Sequence, residues 1–232
     1  MLQIRSWDDL VGGDYDWLQT KHHFPFNGMA NPQHRPLGSL VVWNDDDIAP
    51  HSGFPTHGHR DMEIVTYVRE GVLEHADNVG GRGQIPAGNV QVMSAGRGIA
   101  HSEANPGDEM LRIFQIWLMP RKRGLEPRWA TKPFPKDARA GRFVPLASGY
   151  SEDGDALPIE SNARVLGATL AAGQRIDHPL TGKRYAYLVA TRGHITVNGQ
   201  QVRPRDGVAL SGEDLLTVTA LEDAEIVLVE TA

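Results

Sequence analysis

The sequence contains no cysteine. That excludes a disulfide scaffold and thiolate ligation, so any metal must sit on His, Asp or Glu. No apolar run approaches the roughly 18 residues that a spanning helix needs, and no membrane role is expected. Positive charge is short as well: 23 Lys and Arg stand against 29 Asp and Glu, a formal net charge of −6. A duplex-binding protein normally presents a basic face, so direct nucleic-acid contact is not expected. Met1–Asp9 already carries charge and lacks the apolar stretch of a signal peptide, which points to a cytoplasmic protein.

Turn formers are abundant. The 232 residues include 25 glycines and 15 prolines, above the average share and suited to a turn-rich all-β protein. This length allows one large or two small domains, each with its own core. Short runs rich in β-branched and aromatic residues, bounded by Gly or Pro, read as strands: Ser39–Trp43, Met62–Arg69, Gly71–His75, Asn89–Met93 and Leu111–Leu118. Between the first two, Asn44–Asp47 reads as a solvated polar turn, because its three adjacent acids lack the ligand spacing of a calcium loop. Pro120–Gly154 has no sustained periodicity and reads as a connection with a short helix. A second β-rich region follows, with strands at Arg164–Leu170, Arg184–Ala190, His194–Val197, Val208–Leu210, Leu215–Thr219 and Glu225–Val229. Within it, Asn198-Gly199 suits a type I′ hairpin turn. The expected organisation is a leading segment packed on the barrel exterior (1–38), a first barrel (39–120), a connection (121–160) and a second barrel (161–232).

The chemistry concentrates between Gly53 and Asn105. His57 and His59 are two residues apart, as are His101 and Glu103. Residues i and i+2 of a strand share a face, so two such strands could aim three imidazoles and a carboxylate at one point. Imidazoles favour zinc, copper, iron or nickel, and one carboxylate tilts the set toward iron(II). Glu63, four residues beyond His59, could share that face and stays open as a rival ligand on geometry alone. His75 and Asp77 read as polarity at a hairpin end, with Asp77 in an Asx-type turn; the alternative puts His75 near the barrel mouth. Arg97 falls on a loop between two glycines, as a structural donor or a substrate contact. Phe54 and Met93 read as packing residues beside the ligand strands, or as apolar walls for an aromatic substrate. His22, His23 and His51 read as surface residues. His178 and His194 stand alone, and a metal site needs several convergent groups, so the second barrel is expected to bind no metal.

The run Gly53, His57, His59, Glu63, Gly71 resembles the first cupin motif, and Pro86-Ala87-Gly88, His101, Asn105 resembles the second. Residues 53–63 (GFPTHGHRDME) and 93–103 (MSAGRGIAHSE) more specifically resemble the pirin family. The resemblance covers most of residues 40–120. It implies two cupin-like double-stranded β-helix barrels, a bicupin, with metal in the N-terminal barrel only. It maps the metal ligands onto His57, His59, His101 and Glu103, and it displaces Glu63 to a role orienting a ligand histidine. It implies one divalent transition metal, iron(II) first, with zinc, copper, nickel or manganese as alternatives. The implied activity is that of a quercetin 2,3-dioxygenase, cleaving a flavonol with dioxygen and releasing carbon monoxide, with Glu103 as general base. The alternatives are a metal-dependent regulator acting through a protein partner, and a cupin enzyme with another small-molecule substrate.

Overall fold

The computed structural model describes residues 1–180 and 185–232. Among these residues the chain is almost all β, with single-turn 3-10 helices at Trp7–Asp9 and Asp137–Arg139 and no α-helix. Among the described residues no helix is long and apolar enough to cross a membrane. The strands of the described residues form two seven-stranded and two four-stranded sheets. Each seven-stranded sheet closes over a four-stranded one, giving the two cupin-like barrels.

The period-two alternation of side chains explains how the barrels close and how they meet. On Glu63–Glu70, Val65 and Tyr67 face the other barrel, while Ile64 and Val68 face their own interior. On Ala224–Thr231, Val227 and Val229 face outward to the first barrel, and Ile226 and Leu228 inward. The outward residues join Trp43, Phe114 and Tyr187 in one apolar layer between the two large sheets. A buried polar group crosses the layer. Tyr67 donates its hydroxyl hydrogen to Glu225, and the same carboxylate takes Lys136 at 2.6 Å and Arg139 at 3.2 Å.

Several segments depart from the sequence expectation. Asn44–Asp47 is no turn: Leu40–Ile48 is one strand, and all three acids are buried in it. Asp45 and Asp47 share a face and meet the guanidinium groups of Arg69 and of Arg205, which belongs to the other barrel. Asp46 points the opposite way and accepts a hydrogen bond from Thr20 at 2.5 Å. The acids tolerate burial because each finds a charged or hydroxyl partner from a distant strand. The leading segment is not an exterior wrap. Leu2–Arg5 pairs with Gly207–Ser211 at the edge of the second barrel's large sheet, and Val11–Tyr15 with Leu18–His22 extends that of the first. His22 and His23 are buried rather than at the surface, with His23 Nδ1 2.7 Å from the Tyr187 hydroxyl. The connection contributes strands to both sheets: Arg128–Pro133 pairs with Asn89–Ser94, and Val144–Ser148 with Ala163–Leu170. In the second barrel a strand at Arg175–Pro179 joins those expected from the sequence, and the expected start of another at Arg184 lies outside the described residues. Asn198 and Gly199 have φ of 46° and 82°, the two positive values a type I′ turn requires.

Asp45→Ala should lower the unfolding free energy by about 3 kcal/mol, the lower end of the range for a broken buried pair because Asp47 still contacts both guanidinium groups. An unchanged urea midpoint would show that the acids of this strand do not tie the barrels together.

Candidate metal centre

The strands Gly53–His59 and Ile99–Ala104 run antiparallel, with His57 opposite His101. Directly opposed residues project to the same side of a sheet, and His59 joins them as the i+2 neighbour of His57. The ring centroids lie 4.8 Å (57–59), 4.5 Å (57–101) and 5.0 Å (59–101) apart. One donor atom from each ring falls within 4.8 Å of the others. His57 is exposed, His59 half-buried and His101 buried, so the cluster runs from solvent inward. The register shifts between His101 and Glu103, which leaves Glu103 opposite Phe54. Gly53 permits the close approach beside that shift, since a Cβ there would lie 2.3 Å from the Glu103 carbonyl oxygen.

Glu103 sits beneath the imidazoles and is held on both oxygens. Gln91 donates its amide to Oε1 and Gln115 to Oε2, each at 2.5 Å. The amides are themselves oriented, because Trp129 and Trp117 donate their indole N–H groups to Oε1 of Gln91 at 2.8 Å and Oε1 of Gln115 at 3.4 Å. An amide whose oxygen is occupied by a donor must turn its NH₂ the other way, here toward the carboxylate. Glu103 joins the cluster through His101: a donor atom of each, together with one of His75, forms a second set within 4.8 Å.

Burial pushes the His101 imidazolium down to about 3, helped by His57 and His59, and that of His59 down to about 4, helped by His57. Both rings are therefore neutral near pH 7, with lone pairs available. Burial also raises Glu103 to about 7, aided by the nearby charge of Asp46, and raises Asp46 itself to about 7. Both ring nitrogens of His101 are buried without a hydrogen-bond partner. A buried imidazole with two idle nitrogens is costly unless a ligand satisfies it. Three imidazoles and a carboxylate are also the donor set that suits a divalent transition metal. The residues present fit such an ion.

The cluster forms the inner end of a cavity of about 230 Å³. Leu18, Phe26, Met29, Phe54 and Trp117 give it apolar and aromatic walls, and Asp46 with Asn44 adds a polar side. Trp117 stands edge-on to His59 at 5.0 Å and Phe26 edge-on to Trp117 at 5.3 Å. Met93, in contrast, is core packing, buried with Ile64 and Ile99.

The other residues singled out in the sequence fall elsewhere. Glu63 accepts a hydrogen bond from Ser94 at 2.7 Å and lines a separate cavity with Arg128 and Glu160. It orients no ligand histidine, because its strand pairs it with Ser94 and Leu118, away from the imidazoles. Arg97 is exposed and pairs with Glu126 at 2.8 Å. His51 is exposed beside Asp108. His178 pairs with Glu230 and His194 with Glu222. Asp77 does make the Asx-type turn, accepting from the backbone of Val79 and Gly81. His75 is more than hairpin polarity, being fully buried and stacked on Trp129 at 4.9 Å. Sequence reasoning missed Asp46, Gln91, Gln115 and Trp129. Only the period-two spacing of Gln115 from Trp117 offered a local signal.

A pirin family model matches residues 5–118, and a quercetinase C-terminal cupin domain model matches residues 146–231. A pirin-like protein of Caulobacter vibrioides is 53% identical over 232 residues, covering 100% of both chains. The quercetin 2,3-dioxygenase of Escherichia coli K12 is 36% identical over 229 residues, covering 98% of this chain and 97% of that one. The crystal structure of the E. coli bacterial pirin YhhW in complex with nickel(II) superposes with a TM-score of 0.92 at 34% identity, covering 100% of this chain and 99% of that chain.

Glu103→Gln should weaken metal retention by about 10- to 100-fold, read by competition with a chromophoric chelator, whereas Glu63→Gln should leave it unchanged. The reverse outcome would make Glu63 the fourth ligand. His178→Ala and His194→Ala should keep the full metal content of the parent protein, and loss of about one equivalent would place a ligand in the second barrel.

Proposed function

We propose that this chain, which belongs to the pirin family by sequence and by fold, is a metal-dependent dioxygenase that opens a flavonol with dioxygen and releases carbon monoxide. The observation that carries this reading is the aromatic-walled cavity ending on His57, His59, His101 and Glu103. The 36% identity to the E. coli quercetin 2,3-dioxygenase supports it. We assign His57, His59, His101 and Glu103 as ligands of one divalent metal in the N-terminal barrel. Iron(II) is the working choice, because a carboxylate among imidazoles suits it, and the setting is cytoplasmic.

When bound, the metal would supply Lewis-acid activation of the flavonol 3-hydroxyl and a place for dioxygen. The chain's own residues do the rest. Phe26, Phe54 and Trp117 bind the planar rings and orient them by flat and edge contacts. Leu18 and Met29 exclude water from the reacting face. His57 donates its Nδ1 hydrogen to the Pro55 carbonyl at 2.8 Å, which fixes the ring with Nε2 free. Glu103, on partly leaving the metal, would accept the 3-hydroxyl proton as general base. The amides of Gln91 and Gln115 hold its carboxylate in a fixed orientation beneath the imidazoles.

Protein loaded with iron(II) under anaerobic conditions and then mixed with quercetin in air should lose the flavonol absorbance and release carbon monoxide, and Glu103→Gln should abolish the turnover. Flavonol that binds without turnover, at full iron occupancy, would contradict the enzymatic reading and favour a non-enzymatic role for the same site.

A further inference from the structure

His75 sits below the imidazole cluster on the strand Val72–Asp77, which pairs with the ligand strand so that His75 is opposite Glu103. Its side chain is fully buried. Its Nε2–H donates to the Asp77 carboxylate at 3.0 Å, which leaves the lone pair on Nδ1, and that nitrogen is buried without a partner. A ring nitrogen freed in this way, with the opposite N–H held by a carboxylate, is the arrangement found behind metal-ligating histidines. The ring of His75 lies 5.3 Å from that of His101, whose own nitrogens are idle. Donor atoms of His75, His101 and Glu103 fall within 4.8 Å of one another, as do those of His57, His59 and His101.

We propose that the barrel holds two overlapping metal positions: an outer one on His57, His59, His101 and Glu103, and an inner one in which His75 replaces His57 and His59 beside His101 and Glu103. The inference rests on the reading of the cluster as a metal centre and extends it to a residue outside the assigned ligand set. The two positions share His101 and Glu103, so they are alternative places for one ion. Two imidazoles and a carboxylate suit a divalent ion of borderline softness such as zinc, cobalt or nickel. His75 does not line the aromatic cavity, and the inner set is buried throughout. Moving inward exchanges the exposed His57 and half-buried His59 for the buried His75, so an ion there sits deeper below the cavity mouth and the outer position is the one open to ligands. Asp77 and Trp129 are the positioning residues: Asp77 fixes the tautomer and Trp129 the plane of the ring, the two planes lying 8° apart.

The test separates the positions by removing the outer ligands. His57 is exposed and His59 half-buried, so a His57→Ala/His59→Ala double variant should stay folded, checked by circular dichroism. Loaded with cobalt(II), it should retain about one equivalent by mass spectrometry after dialysis, with a visible ligand-field band. Adding His75→Ala should abolish both. Because His75→Ala could unfold the barrel, Asp77→Asn in the double variant gives a milder second reading; it should weaken cobalt(II) binding by about 10- to 100-fold. A double variant as metal-free as the triple variant, in protein whose parent binds one equivalent, would overturn the inner position. A parent protein that binds no metal at all would instead overturn the metal-centre reading beneath it.

Discussion

The pairing of His57 with His101 across one antiparallel ladder is the constraint on which the site depends. A slip of one residue would turn His57 and His59, or His101 and Glu103, to the opposite face. The register is held from two sides. Gly53 allows the backbone approach at one end, and the strand Val72–Asp77 pairs along the far edge of Ile99–Ala104 with His101 opposite Asp77. The irregularity between His101 and Glu103 then separates their roles. His101 stays with the exposed imidazoles, while Glu103 drops into a nest of amides that keeps a buried carboxylate supplied with donors. Without those donors its burial would be far more costly.

The fold serves this arrangement through elements from well outside the ligand strands. Trp129 comes from the segment between the barrels, yet it orients Gln91 and stacks on His75. The leading hairpin supplies Leu18 and Thr20 to the cavity, and Thr20 holds Asp46. Asp45 and Asp47, on the other face of the same strand, reach Arg205 in the second barrel. One acidic strand thus contributes to the cavity with one face and to the contact between barrels with the other. The second barrel braces the first along the buried layer of Trp43, Tyr67, Phe114 and Tyr187, and a shift there would reach the cavity through Leu40–Ile48.

Much of this was legible in the sequence where the signal is local. The His-X-His and His-X-Glu spacings predicted shared faces, because strand geometry has period two, and the structure gathers His57, His59 and His101 in one cluster. The Asn-Gly turn followed from the backbone angles those residues tolerate. What stayed hidden depends on partners far along the chain. Three adjacent acids read as a turn because the arginines that neutralise them, Arg69 and Arg205, lie 24 and 160 residues from Asp45. His23 read as a surface residue because Tyr187, its partner, is 164 residues away. His75 read as hairpin polarity, since nothing near it in sequence announces that Trp129 covers its face. Glu63 illustrates the converse: its spacing from His59 is compatible with a shared face, but the chain turns between the two strands and carries it to Ser94.

The account stands on the claim that histidines of the first barrel, with Glu103, form a metal centre at the foot of an aromatic cavity. X-ray absorption spectroscopy of the iron(II)-loaded protein addresses that claim directly, because imidazole rings leave a distinctive multiple-scattering pattern and their number can be fitted. The account predicts a first shell of nitrogen and oxygen only, with three imidazoles in the outer position. A shell with no imidazole scattering, or one unchanged when His57, His59 and His101 are all replaced by alanine, would contradict it.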